Sequence, residues 1–240
     1  DDYNVKLSGD FGTITFDGHG GSSAMAAVDD KTPNAYEEAW DIIDTDGTNT
    51  SGSPTVINGS GGGNNMFIYT SPSMGGATLT VAYRNHVAAA AESMTDFAIK
   101  VSPEAIDGLT VGAAMSNNTI ATDVDSDEST MYATYATGGF TVGVQSSDKD
   151  HTTANSDQEG IAYGITYAVN DDMSIGYSYH EVEFESGANL LDQESTGISA
   201  SYTMGGMTLA GAMNETDNMN GSSTAANDVE GYEFTLSFAF

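Results

Sequence analysis

The stretch YEFTLSFAF at residues 232–240 places a large apolar side chain at every second position. Successive side chains of a β-strand point to opposite faces, so this period of two is typical of a strand with one apolar face. The same pattern occurs near the other end of the chain, where Val5 and Leu7 alternate with Lys6 and Ser8. Both ends therefore predict β-structure.

The alternation recurs along most of the chain and gives about thirteen predicted strands when each segment is counted against the two-residue template. Its apolar positions include Ile14, Phe16, Leu79, Val81, Phe97, Ile99, Val111, Met115, Met131, Tyr135, Val142, Val144, Ile161, Ile165, Ile175, Tyr177, Ile198, Tyr202, Leu209 and Met213. One further strand is predicted near residues 65–70. The sequence therefore predicts an all-β fold.

The predicted connections alternate between short and long. Short turns rich in Gly, Pro and Asp lie at residues 9–12, 71–76, 102–108, 138–139, 170–172 and 205–206. Long polar connections are predicted at residues 19–64, 85–94, 117–128, 147–158, 186–194 and 214–229. This layout is typical of a transmembrane antiparallel β-barrel whose apolar face contacts lipid. A soluble surface β-sandwich, such as an adhesin or surface-layer module, is the alternative.

The charge balance excludes several classes of protein. The 240 residues include 5 Lys and Arg against 35 Asp and Glu, a formal net charge of −30, so no nucleic-acid partner is expected. No cysteine is present, which excludes disulfides and thiolate metal sites. The four histidines lie in or beside predicted loops, and no known catalytic motif accompanies them. We therefore expect no enzymatic activity.

Two stretches carry a resemblance to a known family. Residues 5–16 resemble the strand–turn–strand that precedes the constriction loop of Gram-negative general porins, with the alphaproteobacterial porins as the nearest subgroup. Residues 232–240 resemble the closing strand of outer-membrane barrels, in which the final Phe240 is the assembly signal. The resemblance implies an outer-membrane homotrimer, in contact with membrane lipid and lipopolysaccharide, through which small hydrophilic solutes and ions diffuse. A solute-specific channel of the same fold is the alternative.

The resemblance also bears on the strand count. Single-chain bacterial barrels have an even number of strands, and thirteen is odd. In sixteen-stranded porins the folded-in loop follows the fifth strand, whereas here the long segment follows the second predicted strand. We therefore expect residues 1–240 to form a single porin barrel domain that lacks the first three strands. One faint strand inside residues 19–64 would instead make fourteen.

The longest connection, residues 19–64, is a predicted constriction loop folded into the lumen, because connections of this length are uncommon without a function. A loop that only covers the mouth of the pore is the alternative. Residues 24–28 and 36–43 have short helical character. The acidic residues expected at the constriction are Asp29, Asp30, Glu37, Glu38, Asp41 and Asp44.

The few basic residues complete the predicted pore. Lys6, Arg84 and Lys100 fall on the polar face of their strands. In porins the wall opposite the acidic loop is typically basic, so the resemblance implies that these three residues form that wall. The surplus of carboxylates predicts a preference for cations, because carboxylates lower the energy of a permeating cation and raise that of an anion.

No cofactor is expected, with calcium as the one candidate ion. Asp123, Asp125 and Asp127 alternate along one predicted loop and offer the oxygen ligands that calcium prefers. They do not complete a twelve-residue calcium loop, so a solvated acidic loop is the favoured interpretation.

Overall fold

The structure is a computed structural model that describes residues 3–41, 54–57, 62–85, 93–121, 124–153, 156–185, 190–224 and 227–239. These ranges contain fifteen β-strands and two short 3₁₀ helices, Met25–Val28 and Met219–Gly221. The strands are β1 (Tyr3–Gly9), β2 (Gly12–His19), β3 (Gly21–Ser22), β4 (Gly62–Gly63), β5 (Met66–Thr70), β6 (Ala77–Arg84), β7 (Ser93–Val101), β8 (Leu109–Ala121), β9 (Val124–Thr137), β10 (Phe140–His151), β11 (Gln158–Asn170), β12 (Met173–Phe184), β13 (Gln193–Met204), β14 (Met207–Asp217) and β15 (Val229–Phe238).

Thirteen of these strands form one antiparallel sheet, which confirms the all-β prediction and the strand count. Neighbours in this sheet follow chain order, with β2 paired to β5 across the β3–β4 ribbon, in the order β1-β2-β5-β6-β7-β8-β9-β10-β11-β12-β13-β14-β15. The remaining two, β3 and β4, pair with each other in a separate ribbon. Within the described ranges, the 19–64 segment therefore adds no fourteenth strand to the sheet.

Several predicted long connections are shorter than expected. The prediction of a loop at residues 117–128 was wrong, since β8 runs to Ala121 and β9 starts at Val124. Asn117 Nδ2 donates to Asp127 Oδ1, so polar side chains bridge these two strands where the sequence indicated a loop. The expected 147–158 connection likewise contracts, because β10 continues to His151.

The two faces of the sheet differ as the alternation predicted. Large apolar side chains such as Met131 and Phe234 are 64% and 74% exposed, whereas Ala98, Ala114 and Ala210 on the opposite face are buried. Exposed apolar side chains on nearly every strand are unfavourable in water but suit a surface that contacts lipid. This distribution favours the barrel over a soluble sandwich, whose apolar face would be buried.

The chain divides into two compact units. The first comprises residues 1–30, 57–133 and 146–158, and the second comprises residues 31–56, 134–145 and 159–240. The long 19–64 segment therefore contributes to both. No helix among the described residues is long and apolar enough to cross a membrane.

Candidate functional site

In the first unit, the 3₁₀ helix Met25–Val28 lies against β7 and β8. The Met25 amide donates to Asp96 Oδ2 at 2.9 Å, and the Asp96 side chain is fully buried. The helix joins a buried cluster that contains Ala24, Met25, Val28, Met66, Ala82, Met94, Ala98, Ala114 and Tyr132. Small side chains on this face of the sheet thus leave room for the start of the 19–64 segment. Beyond the helix, Asp29 is half-buried and Asp30 is exposed.

The three predicted wall cations belong to the same unit. Lys6 pairs across the sheet with Thr15, and Lys100 pairs with Thr78 and Gly112; both lysines are exposed. Arg84 is half-buried, and its guanidinium lies so close to Gly63 that a methyl group there would meet Nη1 at 2.7 Å. Each of the three follows an exposed apolar residue, which is Val5, Tyr83 or Ile99, as the predicted parity requires.

In the second unit, residues 31–41 cross the polar face of consecutive strands. The Lys31 amide donates to Gln145 Oε1 of β10 at 2.8 Å. Further along, the Ala35 amide donates to Ser199 Oγ of β13 at 3.0 Å, and Asn214 Nδ2 of β14 donates to the Glu38 carbonyl oxygen. The sheet therefore supplies side-chain partners for the backbone of this segment. The helical prediction for residues 36–41 was wrong, because these residues form bends and a turn, and the Glu38 carbonyl binds Asn214 of β14. Ile42 and Ile43 lie outside the described residues.

A row of glycines on four neighbouring strands seats this segment. A methyl group on Gly143 of β10 would lie 2.5 Å from Pro33 Cδ, and one on Gly164 of β11 would lie 2.3 Å from the Pro33 carbonyl oxygen. On β12 and β13, methyl groups at Gly176 and Gly197 would lie 2.9 Å from the Ala35 nitrogen and 3.1 Å from Ala39 Cα. We call Gly143, Gly164, Gly176 and Gly197 the glycine row. Only residues without Cβ allow so close an approach of two backbones.

Three of the predicted constriction residues come together on the seated segment. One carboxylate oxygen from each of Glu37, Glu38 and Asp41 lies within 4.8 Å of the others. Burial, together with the charge and a hydrogen bond of Asp41, raises the pKa of Glu37. Asn34 Nδ2 donates to Glu38 Oε1 at 2.6 Å and orients that carboxylate. The predicted Asp44 lies outside the described residues.

The sequence interpretation missed a fourth carboxylate beside this group. Glu233 of β15 accepts a hydrogen bond from the Tyr36 hydroxyl, and its charge adds to the repulsion that raises the pKa of Glu37. The hydrogen bond to Glu233 also raises the pKa of Tyr36. Parity could have revealed Glu233, because it alternates with Tyr232 and Phe234 and so falls on the polar face. The carboxylates of the segment therefore face another acid on the adjacent wall.

Trp40 anchors the end of the described segment. Its side chain is 5% exposed, and its ring centroid lies 4.6 Å from that of His180 on β12. Ala39, Trp40 and Ala162 form a small buried apolar cluster. These contacts hold the end of the segment against β11 and β12.

The predicted calcium ligands are not assembled as a loop. Asp125 and Asp127 belong to β9, where the Asp125 amide binds Thr152 Oγ1 at 2.9 Å and the Asp127 carboxylate binds Asn117. Among the described residues, the one set of three acidic or histidine groups close enough to share an ion is Glu37, Glu38 and Asp41. Asp123 and the predicted assembly signal Phe240 lie outside the described residues.

Comparison with known proteins places this geometry in context. A family model described as Gram-negative porin matches residues 1–222. No curated protein sequence matches.

Three solved structures illustrate the similarity of fold. The outer-membrane OmpT of Vibrio cholerae has a TM-score of 0.71 and 14% identity, over 99% of this chain and 80% of that one. An anion-selective porin from Comamonas acidovorans has a TM-score of 0.70 and 15% identity, over 100% and 77%. The outer-membrane channel DcaP of Acinetobacter baumannii has a TM-score of 0.65 and 12% identity, over 100% and 83%. The sheet thus matches those of porin barrels.

Proposed function

Since the chain belongs to the Gram-negative porin family and is located in the outer membrane, we propose that it is a diffusion channel that prefers cations. Ions and small hydrophilic solutes pass down their gradients, and no catalysis or cofactor is involved. The channel is a homotrimer in contact with membrane lipid and lipopolysaccharide, and Phe240 is its assembly signal.

The observation that carries this proposal is the path of residues 31–41. The segment lies on the polar face of β10–β15, and it places Glu37, Glu38 and Asp41 together beside Glu233. A ring of carboxylates on a lumen wall stabilises a passing cation and repels an anion. We therefore assign residues 19–64 as the constriction loop, with Asp29, Asp30 and Asp44 as further acidic residues of the same loop.

The charges support a cation preference over the whole pore. The net charge of −30 leaves few positive side chains to oppose the acidic segment. At physiological salt the Debye length is ~8 Å, comparable to the radius of a diffusion pore, so lumen carboxylates still act on permeating ions. The Comamonas porin is named as anion-selective, but at 15% identity its likeness concerns the fold. Lys6, Arg84 and Lys100 are the proposed basic wall, which is too sparse to reverse the preference.

The test is the reversal potential of purified protein in a planar bilayer under a KCl gradient. A potential of the sign given by K⁺ permeation supports the proposal. A potential of the opposite sign would keep the channel and contradict the cation preference, whereas an absence of conducting steps would contradict the channel itself.

A further inference from the structure

Gln193 is a fully buried side chain of β13 that binds two separate segments of the chain. Its Oε1 accepts hydrogen bonds from the Thr55 amide and from the Asn220 amide, both at 3.0 Å. Its Nε2 donates to the Thr55 carbonyl oxygen, also at 3.0 Å. One side chain therefore joins residues 54–56, which belong to the 19–64 segment, to the connection between β14 and β15.

The two joined segments also touch each other directly. Thr55 Oγ1 donates to Asn220 Oδ1 at 2.7 Å. The first of these segments includes Pro54, which is buried. Movement of either segment would break hydrogen bonds to the other as well as to Gln193.

The turn around Asn220 has an unusual backbone that Gln193 helps to hold. Asn218 and Asn220 both have left-handed conformations, with φ of 51° and 56°, and Met219 between them is fully buried. Residues other than glycine seldom adopt this conformation; asparagine enters it more readily than most, and surrounding contacts hold it there. Those contacts include Asp228 Oδ1, which accepts from the Asn218 amide at 3.0 Å, and Gln193 itself.

A second buried glutamine provides a comparison. Gln145 of β10 is also fully buried and accepts from the Lys31 amide, at the opposite end of the same segment in the second unit. That hydrogen bond holds residue 31 of the segment to β10. The double attachment to the segment and to the β14–β15 connection is a feature of Gln193.

We propose that Gln193 is a positioning residue that couples the β14–β15 connection to the constriction loop. It transmits displacement of the 218–221 turn to residues 54–56, and so a change at the mouth of the pore alters conduction at the constriction. The effect on conduction rests on the proposed channel function, whereas the coupling between the two segments does not.

The coupling is tested by hydrogen exchange of the detergent-purified protein and the variant Gln193→Met, which keeps the length of the side chain and loses all three hydrogen bonds. Exchange is expected to accelerate roughly tenfold or more at residues 55–57 and at 218–221 together, as the net strength of two or three ordinary hydrogen bonds implies. Gln193→Glu keeps the two accepted bonds and is expected to show a smaller change. Acceleration at one segment alone, or at neither, would overturn the proposal.

The conduction readout uses the same proteins in planar bilayers. Gln193→Met is expected to increase open-channel current noise, and the matched control Gln145→Met is expected to disturb the loop without releasing the turn.

Because the chain has no cysteine, Thr55→Cys and Asn220→Cys can be joined selectively by a short bis-thiol reagent. Cross-linking is expected to reduce the open-channel current noise of the Gln193→Met protein. Unchanged noise after cross-linking would overturn the coupling. Coupled exchange in a protein that does not conduct would leave the coupling intact and contradict the channel function.

Discussion

Replacing Gly164 with alanine should lift residues 31–41 away from the sheet. The new methyl group would lie 2.3 Å from the Pro33 carbonyl oxygen, whereas ordinary contacts begin near 3.4 Å, so the segment must retreat by about 1 Å. The obstacle is backbone, which cannot rotate aside as a flexible side chain could. Overpacking of this kind typically costs ~1–3 kcal/mol.

The cost is similar to the strength of the contacts that hold this part of the segment. Two hydrogen bonds donated by backbone amides flank Pro33. One runs from Lys31 to Gln145 and the other from Ala35 to Ser199, and each contributes ~0.5–1.5 kcal/mol net. The strain therefore offsets most of their combined contribution. At about 1.4 kcal/mol per factor of ten, the undocked population should rise roughly fivefold to hundredfold.

Trp40 provides the assay, because it is the single tryptophan of the chain and is buried in the docked segment. Acrylamide should quench its fluorescence more strongly in Gly164→Ala than in the parent protein, and open-channel noise should rise. Ala200→Val is the matched control, since it adds volume on the exposed apolar face of β13. Equal quenching in Gly164→Ala and the parent would refute the close seating of the segment on the glycine row.

Two further predictions concern the carboxylates. Because the pKa of Glu37 is raised, the cation preference should begin to fall at a higher pH than an ordinary glutamate would give, and Glu37→Gln should remove this part of the pH profile of the reversal potential. The packing of residues 31–41 against the sheet should change with pH in the opposite direction. A raised carboxyl pKa means that the packed state favours the protonated form of Glu37. Trp40 should therefore become more protected from quenching as pH falls through that pKa and less protected as pH rises above it. Glu233→Gln should shift the reversal potential towards zero, whereas Glu230→Gln, on the exposed face of the same strand, should leave it nearly unchanged; equal shifts in both variants would remove Glu233 from the pore wall.

Strand identity and facing could be predicted from the sequence because both follow from the two-residue period. Residues 207–213 show why: Leu209 and Met213 are exposed while Ala210 and Ala212 are buried, as the alternation requires. Strand ends were harder to predict. The polar residues at 117–121 and 124–128 have the composition of a loop, yet hydrogen bonds between neighbouring strands continue through them.

The path of the 19–64 segment could not be read from its own residues. The predicted helix at 36–41 does not form, and the backbone of residues 35 and 38 instead binds Ser199 and Asn214, which are distant in sequence. The strands beneath the segment carried a clearer indication of its path, because glycine recurs at polar-face positions of four consecutive strands. Glu233 was likewise available from parity, but its proximity to Glu37 depends on the fold of the segment.

The central claim is that the acidic segment sets the selectivity of the channel, and paired reversal potentials test it most directly. Under a KCl gradient in a planar bilayer, the parent protein should give a cation-selective potential. The variant with Glu37→Gln, Glu38→Gln and Asp41→Asn should give a potential much closer to zero at an unchanged yield of folded protein. An anion-selective parent, or a triple variant with the selectivity of the parent, would contradict the account.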